Sequence, residues 1–326
     1  MSTRVADKAP TSDPGAASAP AEAGGFAGWR QRSGARMRAV WAAGGPPSTG
    51  PGGTVLVVLA LLCALAFWVV LYALVLSGFQ ERHTQAQMYA SLRADLANEV
   101  APLGGQITDG APVALISASQ AGINRAVVVE GTTSTDLQKG PGHRVDTVLP
   151  GQAGVSVVFG KSATFGAPFA HITRLQPGDG ITAVTGQGTF TYRVTDVRRP
   201  GDPVPPLLSS GQGRLTLVSA EGSGWRSGWA PSQVVYVDAN LVGKAQPSPG
   251  GGPTVQPSNQ VAMAIDRTAL TPLVLWLELL VVVGIGFVWA HRRWGGRQVW
   301  LVGVPAMLAI LWVVTETAAR LLPNLL

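Results

Sequence analysis

The chain has 326 residues, of which 46% are hydrophobic and only 13% are charged, and this balance predicts membrane-spanning segments. The net charge of +6 comes mainly from arginines beside apolar runs, at residues 30–38 and 292–297, which favours membrane-flanking loops and excludes a nucleic-acid surface. The only cysteine, Cys63, lies inside an apolar run. An intramolecular disulfide, a cysteine-rich zinc site and cysteine catalysis in the soluble part are therefore excluded, and we predict neither metal nor cofactor.

The N-terminal part predicts a tail followed by a membrane helix. Residues 1–53 are rich in Ala, Gly, Pro and Ser and lack periodicity, which predicts a disordered cytoplasmic tail. Residues 54–76 form an uncharged apolar run long enough to cross a bilayer, predicted as transmembrane helix 1. A cleaved signal peptide is the alternative, but its apolar region would be shorter and nearer the start of the chain. The basic residues before the run place the N-terminus in the cytoplasm.

A helix and an all-β domain are predicted next. Residues 77–100 predict a juxtamembrane helix, because Met88, Leu92, Leu96 and Val100 recur four apart and form one apolar stripe that would pack on the following domain. In residues 101–243, short apolar stretches alternate with Gly, Pro, Asp and Ser, which predicts a closed β-barrel or a sandwich. The predicted strands contain residues 113–116, 126–129, 155–159, 181–184, 190–194, 215–218 and 234–237.

After the β-domain, the sequence predicts a linker and a membrane hairpin. Residues 244–267 form a Pro/Gly-rich linker. Residues 268–290 and 298–319 predict transmembrane helices 2 and 3, joined by a basic cytoplasmic loop at residues 291–297 and followed by a short outer tail at residues 320–326. The protein would thus be a multi-pass membrane protein with its β-domain outside the cell membrane.

Three ionisable residues lie in or near the predicted hairpin, at Glu278, Glu316 and Arg320. A carboxylate inside a membrane is costly and usually faces a partner. Glu316 and Arg320 have the i, i+4 spacing of a helical ion pair. Glu278 could pair with Arg320 within the hairpin, could meet a second integral membrane protein, or could be protonated, and the sequence leaves these three alternatives open.

Five sequence segments of the β-domain, taken in order, resemble motifs of the sortase family, especially of the class E type of actinobacteria. They are VVVEGTTSTDLQKGPGH (127–143), TVLPGQAGVSVVFG (147–160), TFGAPF (164–169), LQPGDGI (175–181) and TFTYRVT (189–195). Sortases are cysteine transpeptidases that cleave a sorting signal in a secreted protein and join it to an amine on the cell surface. The resemblance covers residues 110–242 and implies a sortase-like closed barrel. It also implies a Cys nucleophile, a His general acid and an Arg that stabilises the oxyanion or positions the substrate.

The sequence departs from the family at all three of these positions. Lys161 is present at the position of the family His, and Ala220 at the position of the family Cys. Gln233 is the residue that best matches the family Arg. Alanine has no nucleophilic atom, and a lysine with its ordinary pKa of about 10.4 is a poor general acid. The resemblance therefore predicts a catalytically degenerate envelope module that binds a sorting-signal-like peptide or a membrane partner, or acts as a scaffold.

Other residues keep an enzymatic alternative open. Ser223 could act as a nucleophile if Lys161 activates it, which would give a sortase-class transpeptidase or hydrolase. His143 is predicted as a structural loop residue, with replacement of the missing histidine as the alternative. Four residues are candidates for ligand binding: Trp225, Arg226, Trp229 and Ser219. Ser219 is the least favourable of these, because neighbouring side chains on a strand face opposite sides and Ala220 would face the site.

Overall fold

The computed structural model describes residues 51–222, 233–294 and 296–326. The chain divides into two compact units, Met1–Ala64 and Leu65–Leu326, and the barrel, the hairpin and their contacts all belong to the second. After an initial Pro-Gly-Gly, an uncharged apolar run forms α1, Pro51–Leu71. A π-helical turn, Tyr72–Leu76, connects it to α2, Ser77–Ala97. The first predicted span and the juxtamembrane helix therefore form one uninterrupted helical stretch.

Helix α2 docks on the barrel mainly through a glutamine. Leu92 of the predicted apolar stripe is buried, but Val100 lies beyond the end of the helix and is exposed. Gln85 Nε2 donates to the backbone oxygens of Val127 and Lys139, and Gln85 Oε1 accepts from the Val127 N–H. The predicted stripe is thus correct at Leu92 and wrong at Val100, and the polar contact of Gln85 is one that hydrophobic periodicity does not signal.

Eight strands form a closed barrel in the order β1-β2-β3-β4-β7-β8-β6-β5, so the predicted closed all-β barrel is confirmed. Their bounds are β1 Pro112–Ala118, β2 Ile123–Glu130, β3 Gly142–His143, β4 Gly154–Phe159, β5 Gly180–Thr185, β6 Gly188–Arg198, β7 Gly213–Glu221 and β8 Gln233–Val242. Between β2 and β3 lies a short helix, α3, Ser134–Leu137. Each of the seven predicted stretches lies within a strand, whereas β3 is not predicted because two residues carry no alternation.

The barrel interior is filled by inward-facing residues of all the long strands. They include Val113, Ile116, Val128, Val158, Ile181, Tyr192, Leu215, Leu217, Val235 and Val237. The turn at Pro150 and Gly151 closes one end of this core, where the Gly151 N–H donates to the Tyr192 hydroxyl. Gly151 has a φ of 98°, and a Cβ there would collide with the Phe190 ring, so the turn requires glycine.

The predicted Pro/Gly linker lies on the barrel surface. The Gln246 N–H donates to Gly151 O, and Gln246 O accepts from the Ala153 N–H. Further along, Gln260 O accepts from the Thr132 hydroxyl at 2.6 Å. Composition indicates a flexible spacer here, but these backbone hydrogen bonds fix the segment on the domain that precedes it.

Two long helices follow, α4, Leu270–Trp294, and α5, Gly296–Ala319, which pack on each other as an antiparallel hairpin. By length and composition the stretches Arg267–Ala290 and Val299–Ala319 can each cross a membrane, whereas the apolar stretch described in α1, Leu62–Leu71, is shorter. The predicted basic loop at 291–297 is largely helical, because α4 continues to Trp294 and α5 begins at Gly296.

The ionisable residues of the hairpin are not paired as the sequence suggests. Glu278 is exposed in the third turn of α4, whereas Arg320 follows the last residue of the antiparallel α5. Across the described residues, no ion pair joins Arg320 to Glu278 or to Glu316. Two to three helical turns separate Glu278 from the end of the hairpin where Arg320 lies, which explains why these two charges do not meet.

Candidate functional site

The three family positions come together at one end of the barrel. Strands β4 and β7 are parallel, with Phe159 opposite Val218, so their carboxyl ends lie side by side. Lys161 follows the end of β4, and Ala220 is the last but one residue of β7. On the other side of β7, Gln233 begins β8 opposite Glu221, next to Ala220 in the register.

Ala220 lies in an apolar groove on the outer face of these strands. Strand alternation directs Leu215 and Leu217 into the barrel core and Val218 and Ala220 to the opposite face. The groove cluster contains Leu137, Val157, Phe159, Val218, Ala220 and Leu325, with half-buried Val234, Tyr236, Ala262 and Met263 packed against it. The Ala220 methyl group is therefore a packing surface at the position where the resemblance implies a nucleophile.

Lys161 is completely buried beside this groove. Its Nζ atom donates to Asn324 O at 3.2 Å and lies 5.5 Å from the centroid of the Phe165 ring. Within the described residues no carboxylate forms an ion pair with it. Burial without a counter-charge lowers the pKa of the Lys161 amine to about 7, so the amine can exchange a proton near neutral pH.

Gln233 belongs to an exposed polar cluster at the end of β7 and β8. Its Nε2 atom is 3.5 Å from Glu221 Oε2, a long hydrogen bond. Glu221 is held more firmly by Arg199, whose Nε and Nη2 atoms donate to the two carboxylate oxygens at 2.6 and 3.0 Å. The Arg199 guanidinium keeps the pKa of Glu221 below its ordinary value. Arg199, which follows β6, thus supplies a guanidinium that the sequence alignment to the family does not identify.

Ser219 does not line the groove. Its side chain lies on the same inward face of β7 as those of Leu215 and Leu217 and is completely buried. The Ser219 hydroxyl donates to Gly160 O at 2.9 Å. The hydroxyl therefore ties the end of β7 to the end of β4. Ligand binding by Ser219 stays a prediction, and its buried, inward-facing side chain is the orientation that strand alternation disfavours for such a role.

The groove is occupied by the end of the chain that follows the hairpin. We call residues 320–326 the post-hairpin segment, for which the sequence predicts only a short outer tail. The structure instead buries Asn324, Leu325 and Leu326, and the Leu325 side chain packs in the groove cluster with Ala220. Lys161 and Ala220 therefore contact two consecutive residues of the same segment.

His143 has a structural environment distinct from the groove. Its Nδ1 atom is 2.8 Å from Glu130 Oε2, and its Nε2 atom is 3.0 Å from Val148 O and 3.1 Å from the Thr147 hydroxyl. Both ring nitrogens are thus engaged by the barrel itself, which agrees with the predicted structural role. Four predicted candidates, Ser223, Trp225, Arg226 and Trp229, lie outside the described residues.

Comparison with known proteins gives a consistent family signal. The family model of the sortase domain matches residues 116–226. Sortase D of Bacillus subtilis (strain 168) is 34% identical over 71 residues, which are 22% of this chain and 34% of that protein, so the match spans about a third of the relative's length.

Solved structures of sortases are also similar to this chain. The Clostridium perfringens sortase D5 transpeptidase is 22% identical with a TM-score of 0.39, over 49% of this chain and 99% of that chain. Sortase E from Streptomyces avermitilis is 29% identical with a TM-score of 0.35, over 48% of this chain and 100% of that chain.

Proposed function

We propose that the protein, whose residues 116–226 match the sortase domain, keeps a peptide-binding groove and has lost the transpeptidase chemistry of the family. It would then act as a non-enzymatic binding or scaffold module of the cell envelope. The observation that carries the proposal is the buried methyl group of Ala220 at the end of β7, packed among apolar side chains. Transpeptidation by the family's route requires a thiolate to attack a carbonyl carbon, and this position offers no such atom.

The other two positions cannot restore that chemistry. With its pKa near 7, Lys161 could carry a proton to a leaving amine, but without a nucleophile no tetrahedral intermediate forms from which the amine could leave. Gln233 can donate a hydrogen bond but no charge, and its amide is turned toward Glu221. The groove therefore retains donors and apolar surface suited to binding, while the position that carries the thiol in the family offers only the methyl group of Ala220.

We further propose that the two long helices and α1 hold this domain at the outer face of a membrane. Trp68 Nε1 donates to the Thr315 hydroxyl at 3.1 Å, and the Tyr72 ring packs edge-on against Trp312 and Phe165. The last turns of α1 and α5 thus meet beside the barrel. The basic residues 291–297 lie at the opposite end of the hairpin, and the positive-inside rule assigns that end to the cytoplasm.

A membrane partner is part of the proposal. Glu278 is exposed on α4, in a stretch that is otherwise apolar and of membrane-crossing length. Its distance from Arg320 along the hairpin argues against the internal pairing. Two alternatives remain, a protonated carboxyl and a contact with a polar group of a second membrane protein, and we favour the second. Glu278→Leu should then weaken co-purification of that protein, with Leu275→Ala on the exposed surface of α4 as the control.

A serine enzyme is the second candidate, and the lowered pKa of Lys161 is the observation in its favour, because an uncharged amine can accept a serine proton. Ser223 follows two residues after Glu221 in the sequence. This alternative expects covalent labelling of the wild-type protein by a fluorophosphonate probe and loss of the label in Ser223→Ala. Our proposal expects no label in either protein.

The direct test is a search for a covalent acyl-enzyme. Full-length wild-type protein and the variant Lys161→His/Ala220→Cys/Gln233→Arg, each with and without Leu325→Asp to empty the groove, are incubated with LPxTG-like and LAxTG-like peptides and examined by mass spectrometry. We expect no adduct on the wild type in any form and an adduct on the restored variant when the groove is empty. A peptide adduct on the wild-type protein would show that the chain is an enzyme.

A further inference from the structure

We propose that residues 324–326 of the same chain are the resident ligand of the proposed peptide groove between the ends of β4 and β7, where they bind as a turn. This inference rests on the proposed function and deepens it by naming the chemistry of the ligand. The ligand is bound through the main-chain oxygens of three consecutive residues. Its first position, Asn324, has an amide side chain, and its second position, Leu325, has a branched aliphatic side chain.

The residues after β4 supply the main-chain contacts. Lys161 Nζ donates to Asn324 O at 3.2 Å, and the backbone N–H and hydroxyl of Ser162 donate to Leu325 O at 3.0 and 3.1 Å. The Thr164 hydroxyl donates to Leu326 O. The Leu326 N–H donates to Pro323 O at 2.9 Å, so the segment lies in the groove as a turn whose successive main-chain oxygens face these donors.

Residues 259–264 form the opposite wall of the groove and bind Asn324 through hydrogen bonds. The Asn324 N–H donates to Ala264 O at 3.0 Å, and Asn324 Nδ2 donates to the backbone oxygens of Asn259 and Val261, each at 2.9 Å. The Thr132 hydroxyl holds this wall on the barrel through Gln260 O. An amide side chain supplies two N–H donors, one for each of these backbone oxygens, so this wall favours an amide at the position of Asn324.

The pocket over Ala220 binds the side chain of Leu325, the second position of the ligand. Leu325 is completely buried in the groove cluster, where Ala220 contributes its methyl group and Phe159 and Val218 contribute larger apolar surfaces. A larger side chain in place of Ala220 would occupy volume that Leu325 fills, and tightly packed sites tolerate such additions poorly. The small side chain of Ala220 therefore leaves room for Leu325, and the same side chain has no nucleophilic atom.

The resident ligand is tethered to the membrane hairpin. The post-hairpin segment follows α5 directly, and Ala319 at the end of α5 packs with Tyr72 and Phe165. A ligand on so short a tether has a high effective concentration, so a free peptide can bind only when the segment leaves the groove. A shift of α5 relative to the barrel would withdraw the segment, which couples the groove to whatever binds the hairpin.

A disulfide reports the occupancy of the groove. In the full-length chain, reconstituted in lipid nanodiscs and carrying Cys63→Ser, the pair Ala220→Cys/Leu325→Cys is oxidised with copper phenanthroline and mapped by mass spectrometry. We expect a disulfide within one chain in more than about half of the molecules. The control pair Ala220→Cys/Leu207→Cys, with Leu207 99% exposed, should form none. Loss of the cross-link, or a cross-link between two chains, would overturn the inference.

Peptide binding separates this inference from the proposed function. A fluorescent peptide with the sequence of residues 321–326, capped at both ends, is titrated against the full-length chain. We expect Leu325→Asp to bind it at least about tenfold more tightly than the wild type or the control Leu322→Asp. Tight binding to the wild type without the disulfide would refute self-occupancy and leave the proposed peptide groove intact. If no variant binds the peptide, the groove is not a peptide site and the proposed function fails with it.

Discussion

Lys161 is buried, and no described carboxylate forms an ion pair with it, which gives the folded protein a defined pH dependence. Burial lowers the pKa of its amine from 10.5 to about 7. Between these two values the unfolded chain binds a proton that the folded chain does not bind. The free energy of unfolding therefore rises with pH across this window, and it falls as the pH drops toward 7 because folding then has to strip or bury the charge.

The substitution Lys161→Met removes this dependence. Between pH 7 and pH 9.5, we expect the wild type to gain on the order of 3 kcal/mol of unfolding free energy relative to the variant. The measurement is thermal unfolding of both full-length proteins in detergent micelles, followed by tryptophan fluorescence at several pH values. The exposed Lys244 provides the control, since Lys244→Met should shift in parallel with the wild type. A constant difference between wild type and Lys161→Met would contradict the buried, proton-releasing amine.

At the scale of elements, the docking of α2 depends on one glutamine. Gln85 satisfies the N–H and the oxygen of Val127 and the oxygen of Lys139. Val127 is completely buried, so its N–H cannot turn to water when this partner is lost. We expect Gln85→Ala to lower the free energy of unfolding by on the order of 1–3 kcal/mol, measured as a fall of several degrees in Tm.

Gln87 is the matched control for this helix. It lies two residues further along α2, is exposed, and contacts only the side chain of His83 at 3.0 Å. Gln87→Ala should leave the Tm within about one degree of the wild type, because exposed hydrogen bonds contribute little. Equal destabilisation by both substitutions would mean that helix propensity, and not docking on β2, accounts for the effect of Gln85.

The elements also show what the sequence can and cannot predict. Alternation identifies every strand longer than two residues, because a barrel strand repeats its inward and outward sides over several positions. The same alternation correctly turns Ser219 away from Ala220. The contact between Lys161 and Asn324 joins residues 163 positions apart, and no local pattern encodes it. Gln85 and the post-hairpin segment escape prediction for the same reason, since polar and short contacts leave no periodic signal.

At the scale of the whole molecule, the ends of the helices converge on the side of the barrel that carries the groove. Phe165 packs with Tyr72 and Ala319, and the neighbouring Thr164 donates to Leu326. The loop after β4 therefore contacts both the helices and the resident segment. Under the proposed coupling, a shift of the hairpin would reach the groove through these contacts.

This arrangement requires the barrel and the basic turn of the hairpin to lie on opposite sides of the membrane. Single cysteines in the Cys63→Ser background test it, at Leu207→Cys on the barrel and Arg293→Cys at the end of α4, both exposed positions. On intact bacteria, a membrane-impermeant maleimide should label the first, and it should reach the second only after permeabilisation. Arg292 and Arg297 remain in the second variant and preserve the positive-inside signal. Labelling of both sites on intact cells would show that the hairpin does not cross the bilayer. Reversed labelling would place the groove in the cytoplasm, where an extracytoplasmic peptide cannot reach it.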